Sequence, residues 1–147
     1  MKVPFLIGRL VFGGFFLYSG IEHLRKHKEM TPSVRSKGVP APDLVVTLTA
    51  APLIAGGASL LFGVKPRLGA MALLGFLAGV SPIMHDFWRD QDPKERMNNL
   101  DNFLKNVALA GAAVALMGVD EPWEATVGIA EPKLSDRLRR AARQLPA

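Results

Sequence analysis

An all-α fold, an antiparallel bundle of four transmembrane helices followed by a short amphipathic C-terminal tail, is predicted by three features of the sequence. Hydrophobic residues fill 49% of the 147 positions even before the 14 glycines are counted, more than a soluble domain of this length carries. Residues 44–64 hold no Asp, Glu, Lys, Arg or His, and an uncharged stretch of about 21 residues is long enough to cross a bilayer. Three further apolar stretches, at 3–21, 68–84 and 103–119, are set apart by short segments dense in charge and proline. This composition excludes intrinsic disorder. The absence of cysteine excludes disulfides, thiolate catalysis, Cys-held zinc and iron–sulfur clusters, so any redox role needs a borrowed cofactor or a partner. The formal charge of +5 resides in loops and tail, beside anionic headgroups, which points to membrane lipids as partners and away from nucleic acid.

The first span, 3–21, is apolar except for Arg9 and carries Phe5, Phe12, Phe15, Phe16 and Tyr18. Lys2 ahead of an apolar stretch also suits a signal peptide, but Arg9 interrupts the core and no small-x-small cleavage motif follows, which favours a retained helix. Arg9 itself is expected to snorkel toward the headgroups, or else to face inward onto a carbonyl, an anionic lipid or a carboxylate-bearing ligand. Residues 22–43 read as a polar loop, because Pro40 and Pro42 forbid regular helix at its end. In the second span, 44–64, Ala50, Ala51, Ala55, Gly56, Gly57, Ala58 and Ser59 allow close backbone approach, and Pro52 is expected to kink the helix.

Lys65-Pro66-Arg67 alone separates this span from the third, 68–84, which forces an antiparallel hairpin. Gly75 and Gly79, four apart, offer a packing face there. The second charged loop contains Asp90-Gln91-Asp92-Pro93, a turn and helix start. In the fourth span, 103–119, Ala108, Gly111, Ala112 and Ala115 are candidate small contacts. Across the tail, 120–147, Leu134, Leu138, Ala141 and Leu145 recur at helical spacing beside Arg137, Arg139, Arg140 and Arg143, which suits a short helix on an anionic surface, with a solvated tail as the alternative. Four spans return both termini to one side, and the balance of Lys and Arg across the two sides leaves orientation open.

Connectivity gathers one polar cap at one membrane face: Glu22 and His23 from span one, His85, Asp86 and Trp88 after span three, and Asn98, Asn99, Asp101, Asn102, Lys105 and Asn106 around the start of span four. Asn98, Asn102, Lys105 and Asn106 recur at four, three and four, so a helix aims them at one neighbour, and the bundle interior is the expected address. An Asn amide both donates to and accepts from a carbonyl-bearing ligand, and Lys105 can stabilise an oxyanion. His23 and His85 can move protons near neutrality, with Glu22 or Asp86 setting their tautomers. These parts suit a two-proton, two-electron carrier head, a quinone or quinol. They equally suit helix capping and interhelical bonding with Lys105 snorkelling. Iron, manganese or zinc is not expected, since the two histidines and two carboxylates lack a Glu-x-x-His spacing and Lys105 would compete with a cation. A bis-histidine haem would need His23 and His85 face to face, and no haem is expected either. The row Phe12, Phe15, Phe16 reads as packing surface.

The segments Gly8-Arg9-Leu10, Tyr18-Ser19-Gly20-Ile21-Glu22-His23-Leu24, Lys37-Gly38-Val39-Pro40-Ala41-Pro42, His85-Asp86-Phe87-Trp88 and Asn102-Phe103-Leu104-Lys105-Asn106 together resemble, in order and spacing, the DoxX family of bacterial membrane proteins. The resemblance covers roughly residues 3–119. It implies a four-helix, multi-pass protein of the bacterial plasma membrane. The family takes its name from a subunit of a terminal quinol oxidase or thiosulfate:quinone oxidoreductase, and its members are linked to quinone and thiol stress. Mycobacterial relatives are linked to an oxidoreductase complex with superoxide dismutase and a thiosulfate sulfurtransferase, and most members have no assigned reaction. The family's motifs fall on Arg9, Glu22, His23, Pro40, His85, Trp88, Asn102, Lys105 and Asn106, without a catalytic role attached to any. Many members carry a Glu inside span two before the glycine pair, whereas Pro52-Leu53-Ile54-Ala55 precedes Gly56-Gly57 here. A mechanism built on that carboxylate does not carry over.

The expectation is therefore a redox-associated membrane protein that binds a quinone or similar lipid-soluble carrier near the polar cap, in the manner of a subunit of a quinone-linked oxidoreductase. The competing expectation is a non-catalytic scaffold that recruits a soluble redox enzyme of superoxide dismutase or sulfurtransferase type through its loops or tail. A transporter using Pro52 and the paired glycines for a broken helix ranks third, since four short spans make a narrow pathway unless the chain forms a homo-oligomer.

Overall fold

The computed structural model describes residues 3–123, which form five helices: α1 (Val3–Arg25), α2 (His27–Ser36), α3 (Pro42–Phe62), α4 (Pro66–Met84) and α5 (Pro93–Met117). The expected amphipathic tail helix, with Leu134, Leu138, Ala141 and Leu145, lies outside the described residues. Four of the helices, α1, α3, α4 and α5, are long and apolar enough to cross a membrane.

Local chemistry sets the helix ends. The Asp92 carboxylate accepts from the backbone N–H of Lys94 and Glu95, both at 2.9 Å, and Pro93 takes the first helical position. That cap starts α5 ten residues before its apolar stretch, so the helix carries a polar first third. Pro42 and Pro66 occupy the same first-turn role in α3 and α4. Gly63, at φ 74°, ends α3 by turning its N–H and that of Val64 onto the Ser59 carbonyl, a left-handed position glycine takes without a Cβ penalty. The Ser59 hydroxyl then donates to the carbonyls of Val64 and Lys65 at 2.7 and 3.0 Å, closing the expected hairpin.

The helices pack in the order α1, α3, α4, α5, with α3 in the middle and α2 laid across its start. Glycine makes the two tightest seams. A Cβ on Gly57 would stand 2.4 Å from the Leu17 nitrogen and 2.7 Å from the Gly13 carbonyl, so α1 and α3 touch backbone to backbone. The adjacent Gly56 faces the opposite way, where a Cβ would stand 2.9 Å from the Gly69 carbonyl of α4. Gly75, Gly79 and Gly111, expected as packing positions, have open space around them instead. The correction has a simple cause: neither four-residue spacing nor smallness tells which helix face meets a partner. Phe16, Leu53, Leu60, Ala70, Leu73 and Leu77 form the buried core between α1, α3 and α4. Outside it, Val3, Ile7, Val11 and Tyr18 on α1, Leu68 and Met71 on α4, and Leu104, Val107 and Val114 on α5 are exposed. Bilayer hydrocarbon is the solvent that matches such a surface.

Residues 22–43 depart from the expected loop. Its middle ten residues are α2, a short helix that contains Pro32 and buries Thr31 and Val34. Its anchors are all near the start of α3: His27 Nε2 donates to the Asp43 carbonyl at 2.9 Å, Thr31 Oγ1 donates to the Asp43 carboxylate at 3.3 Å, and Arg35 pairs with it at 3.7 Å.

Candidate functional site

At the end of the bundle nearest α2, the four long helices do not close on one another. They leave a cavity of about 330 Å³. Phe15, Phe16, Ser19 and His23 of α1 form one wall, Val45, Val46, Thr49 and Leu53 of α3 a second, and Phe76, Leu77, Val80, Ile83 and Met84 of α4 a third. His85, Asn106 and Leu109 border it on the α5 side, while Met30 and Val34 of α2 with Val39 close its end. The lining is apolar apart from Ser19, His23, Thr49, His85 and Asn106. A smaller groove of about 210 Å³ between α4 and α5 shares Leu77 and Asn106 with it. Phe15 and Ile83 are also about half exposed on the outer surface, so the cavity borders the face that lipid covers.

The polar side chains of this wall are held by the local fold. His23 Nδ1 lies 3.0 Å from the Ser19 carbonyl one turn back on α1, and its ring meets Phe76 edge to face at 6.0 Å. His85 ends α4, and its Nδ1 lies 3.5 Å from Asn99 Oδ1; Asn99 in turn donates from Nδ2 to Asp90 at 2.8 Å. Thr49 turns its hydroxyl back onto the Val45 and Val46 carbonyls, leaving the cavity face of α3 mostly apolar.

Of the residues expected to form the polar cap, the structure brings His23, His85 and Asn106 to the cavity. The others stand elsewhere. Glu22 turns away to pair with Lys26 at 3.0 Å and Arg25 at 3.1 Å. Asp86 is buried in an ion pair with Lys37 at the end of α2, with Arg89 at 3.9 Å on its other oxygen. Hydrogen bonding and charge from Lys37 hold the Asp86 carboxyl below the usual carboxylate range, against the opposing effect of burial. Trp88, 52% exposed, packs with Phe87 and Phe103 in an aromatic triad at ring separations of 5.0 to 6.0 Å, the kind of amphipathic group that anchors a loop at a membrane interface. Asn102 is half-buried, and Lys105 and Asn98 are exposed. The row on α5 thus does not point wholly into the bundle: α5 packs chiefly on α4, and only 6% of its apolar stretch is buried within the molecule.

Arg9 corrects the snorkelling expectation. Its residue is fully buried at the opposite end of the bundle, with the guanidinium 5.6 Å from the centroid of the Trp123 ring. Trp123 is itself buried, packed edge to face on Phe5 at 4.9 Å. The segment after α5 is drawn over this end where Glu121 accepts from the Arg67 backbone N–H at 3.0 Å and Arg67 Nε donates to the Met117 carbonyl. The indole face beneath it contributes about 0.5–2 kcal/mol as one of the contacts that hold Arg9 inside.

Two participants, Ser19 and Lys37, escaped the sequence reading as site residues, and Asn99 of the polar cap takes a role that reading did not give it. Ser19 and Asn99, rather than Glu22 or Asp86, orient the histidines, and the half-buried Lys37 is the partner of Asp86. Ser19 was findable, since it stands one helical turn before His23. The role of Asn99 depends on how the segment between α4 and α5 folds back on it, and that of Lys37 on how the end of α2 meets Asp86, which no spacing in the sequence encodes. Among the described residues, no three His, Asp or Glu side chains are grouped as a metal site would group them.

No curated protein and no solved structure matches this chain. A family model does. The DoxX model matches residues 5–86, which takes in α1 to α4, both cavity histidines and Asp86, and stops before α5. That match covers more than half of the 147 residues, and with four apolar helices it makes this multi-pass membrane chain a member of the DoxX family.

Proposed function

We propose that the protein binds a quinone or similar lipid-soluble redox carrier in the cavity between α1, α3, α4 and α5, as a redox-associated component of the bacterial plasma membrane. The supporting observation is the lining itself: an apolar chamber of about 330 Å³ interrupted by His23, His85 and Asn106. A flat apolar ring fits such walls, and a few placed polar groups fix its oxygens. Entry from the hydrocarbon suits the position of Phe15 and Ile83 on both the cavity and the lipid-facing surface. With no cysteine in the chain, electrons reach or leave the carrier through a partner. His23 and His85 are the groups that exchange protons with it, and Asn106 offers an amide to a carbonyl or hydroxyl.

Mass spectrometry of the organic extract of gently purified protein tests this reading. A quinone retained by the wild type and lost in His85→Ala and Asn106→Ala, with helix content unchanged, is the expected result. Extracts that hold only phospholipid, from protein that co-purifies with a soluble oxidoreductase, would replace it with the scaffold reading.

A further inference from the structure

Hydrogen bonding favours one tautomer at each of the two cavity histidines, through a short contact at His23 and a longer one at His85. A backbone carbonyl only accepts a hydrogen bond, so the Ser19 oxygen 3.0 Å from His23 Nδ1 places the ring hydrogen on Nδ1. For His85 the same result passes through two residues. Asp90 as a carboxylate only accepts, so the Asn99 amide turns Nδ2 toward it at 2.8 Å. That orientation leaves Asn99 Oδ1, again only an acceptor, 3.5 Å from His85 Nδ1. Both neutral rings therefore carry hydrogen on Nδ1 and a lone pair on Nε2. Among the described residues, neither Nε2 has a hydrogen-bond partner, and neither is sealed from contact. Both rings border one cavity whose remaining surface is nearly all apolar.

We infer that this cavity is built to receive two hydroxyl hydrogens, and so prefers the reduced, dihydric form of its carrier to the oxidised, dicarbonyl form. Asn99 and Asp90 are the positioning residues that set this preference at His85. The inference rests on the carrier-binding reading above and adds to it which redox form the site selects. A quinol donates its O–H groups to the two Nε2 lone pairs. A quinone presents only acceptors to them, and of the cavity's polar groups only the Asn106 amide and the Ser19 hydroxyl are left to donate to it, since Thr49 spends its hydrogen on its own helix. His27 provides a natural control. Its Nε2 faces the Asp43 carbonyl at 2.9 Å, so the same chain holds a histidine in the opposite tautomer.

The test uses full-length protein in lipid nanodiscs at about pH 8, where an ordinary imidazole is neutral, with duroquinol and duroquinone as probes. Nitrogen-15 spectra of the three histidines in the ligand-free wild type should show hydrogen on Nδ1 for His23 and His85 and on Nε2 for His27. Asn99→Leu should shift His85 alone toward a tautomer mixture. In binding titrations the wild type should favour duroquinol over duroquinone by about tenfold, and Asn99→Leu should reduce that ratio several-fold with helix content unchanged. Asp90→Asn, which leaves Asn99 present but frees its amide to rotate, should reduce the ratio in the same direction and carries the test if Asn99→Leu does not fold. Equal affinity for the two probes in the wild type, or hydrogen on Nε2 of His85, overturns the inference while leaving carrier binding intact. Failure of both probes to bind overturns the carrier reading and this preference with it.

Discussion

Gly57 has no room for a methyl group. Its neighbour across the α1–α3 seam is not a side chain that can rotate but the Leu17 backbone nitrogen, 2.4 Å from where a Cβ would stand. Gly57→Ala must therefore separate two helices, and overpacking of this kind costs about 1–3 kcal/mol. Gly75→Ala meets open space and should leave stability unchanged. Thermal unfolding of the two variants in detergent checks the contrast, and equal midpoints would show that the seam is not where α1 and α3 are held. The glycine pair of α3 was legible in the sequence as a place of close approach. Its division of labour, Gly57 toward α1 and Gly56 toward α4, was not, because neighbouring helix positions are told apart only when both partners are in place. The same limit governs the polar cap. Residue type announced that Glu22, His23, His85 and Lys105 were out of place in an apolar chain, yet Glu22 and Lys105 turn outward while both histidines border the cavity.

At the scale of elements, α2 is the part of the fold that local sequence concealed. Pro32 within it and the low hydropathy of residues 27–36 argue for a loop when read alone. Burial of Thr31 and Val34 against the bundle, with three polar ties to Asp43, makes the helix form, and tertiary packing of one face commonly outweighs propensity. Lys37, which caps its C-terminus, then reaches across to Asp86 after α4, so one ion pair fastens the element that closes the cavity. Since the Asp86 carboxyl is held below its usual range, the unfolded chain takes up this proton at higher pH than the folded one. The contribution of the pair is therefore full above the ordinary carboxylate range and disappears as pH falls through the depressed value. Lys37→Met leaves the Asp86 carboxylate buried without its partner and should destabilise the protein by about 1–3 kcal/mol at neutral pH. The gap from wild type should narrow in strong acid. A gap that stayed constant with pH would assign the loss to packing of the Lys37 stem instead of its charge.

For the whole molecule, four separated apolar stretches were enough to predict four crossing helices, because lipid leaves the backbone no other way to satisfy itself. Hydropathy could not show that the helices close tightly at one end and part at the other. At the closed end, Arg9 and Trp123 fill the space between the start of α1 and the segment after α5. At the open end, α1 and α5 stand apart and the cavity occupies the gap, with α2 across it. The shape of the site is thus a property of how long rods diverge, and no single residue encodes it. Thr49 lies on the α3 wall, bonded only to its own helix, so a larger side chain there fills the chamber without removing a histidine. Equilibrium binding of duroquinol to wild-type protein and to Thr49→Phe in matched nanodiscs addresses the central claim most directly. Saturable binding of one molecule per wild-type chain, lost in a variant of unchanged helix content, is the predicted result. Identical uptake by both proteins, or uptake that merely follows lipid content, would contradict it.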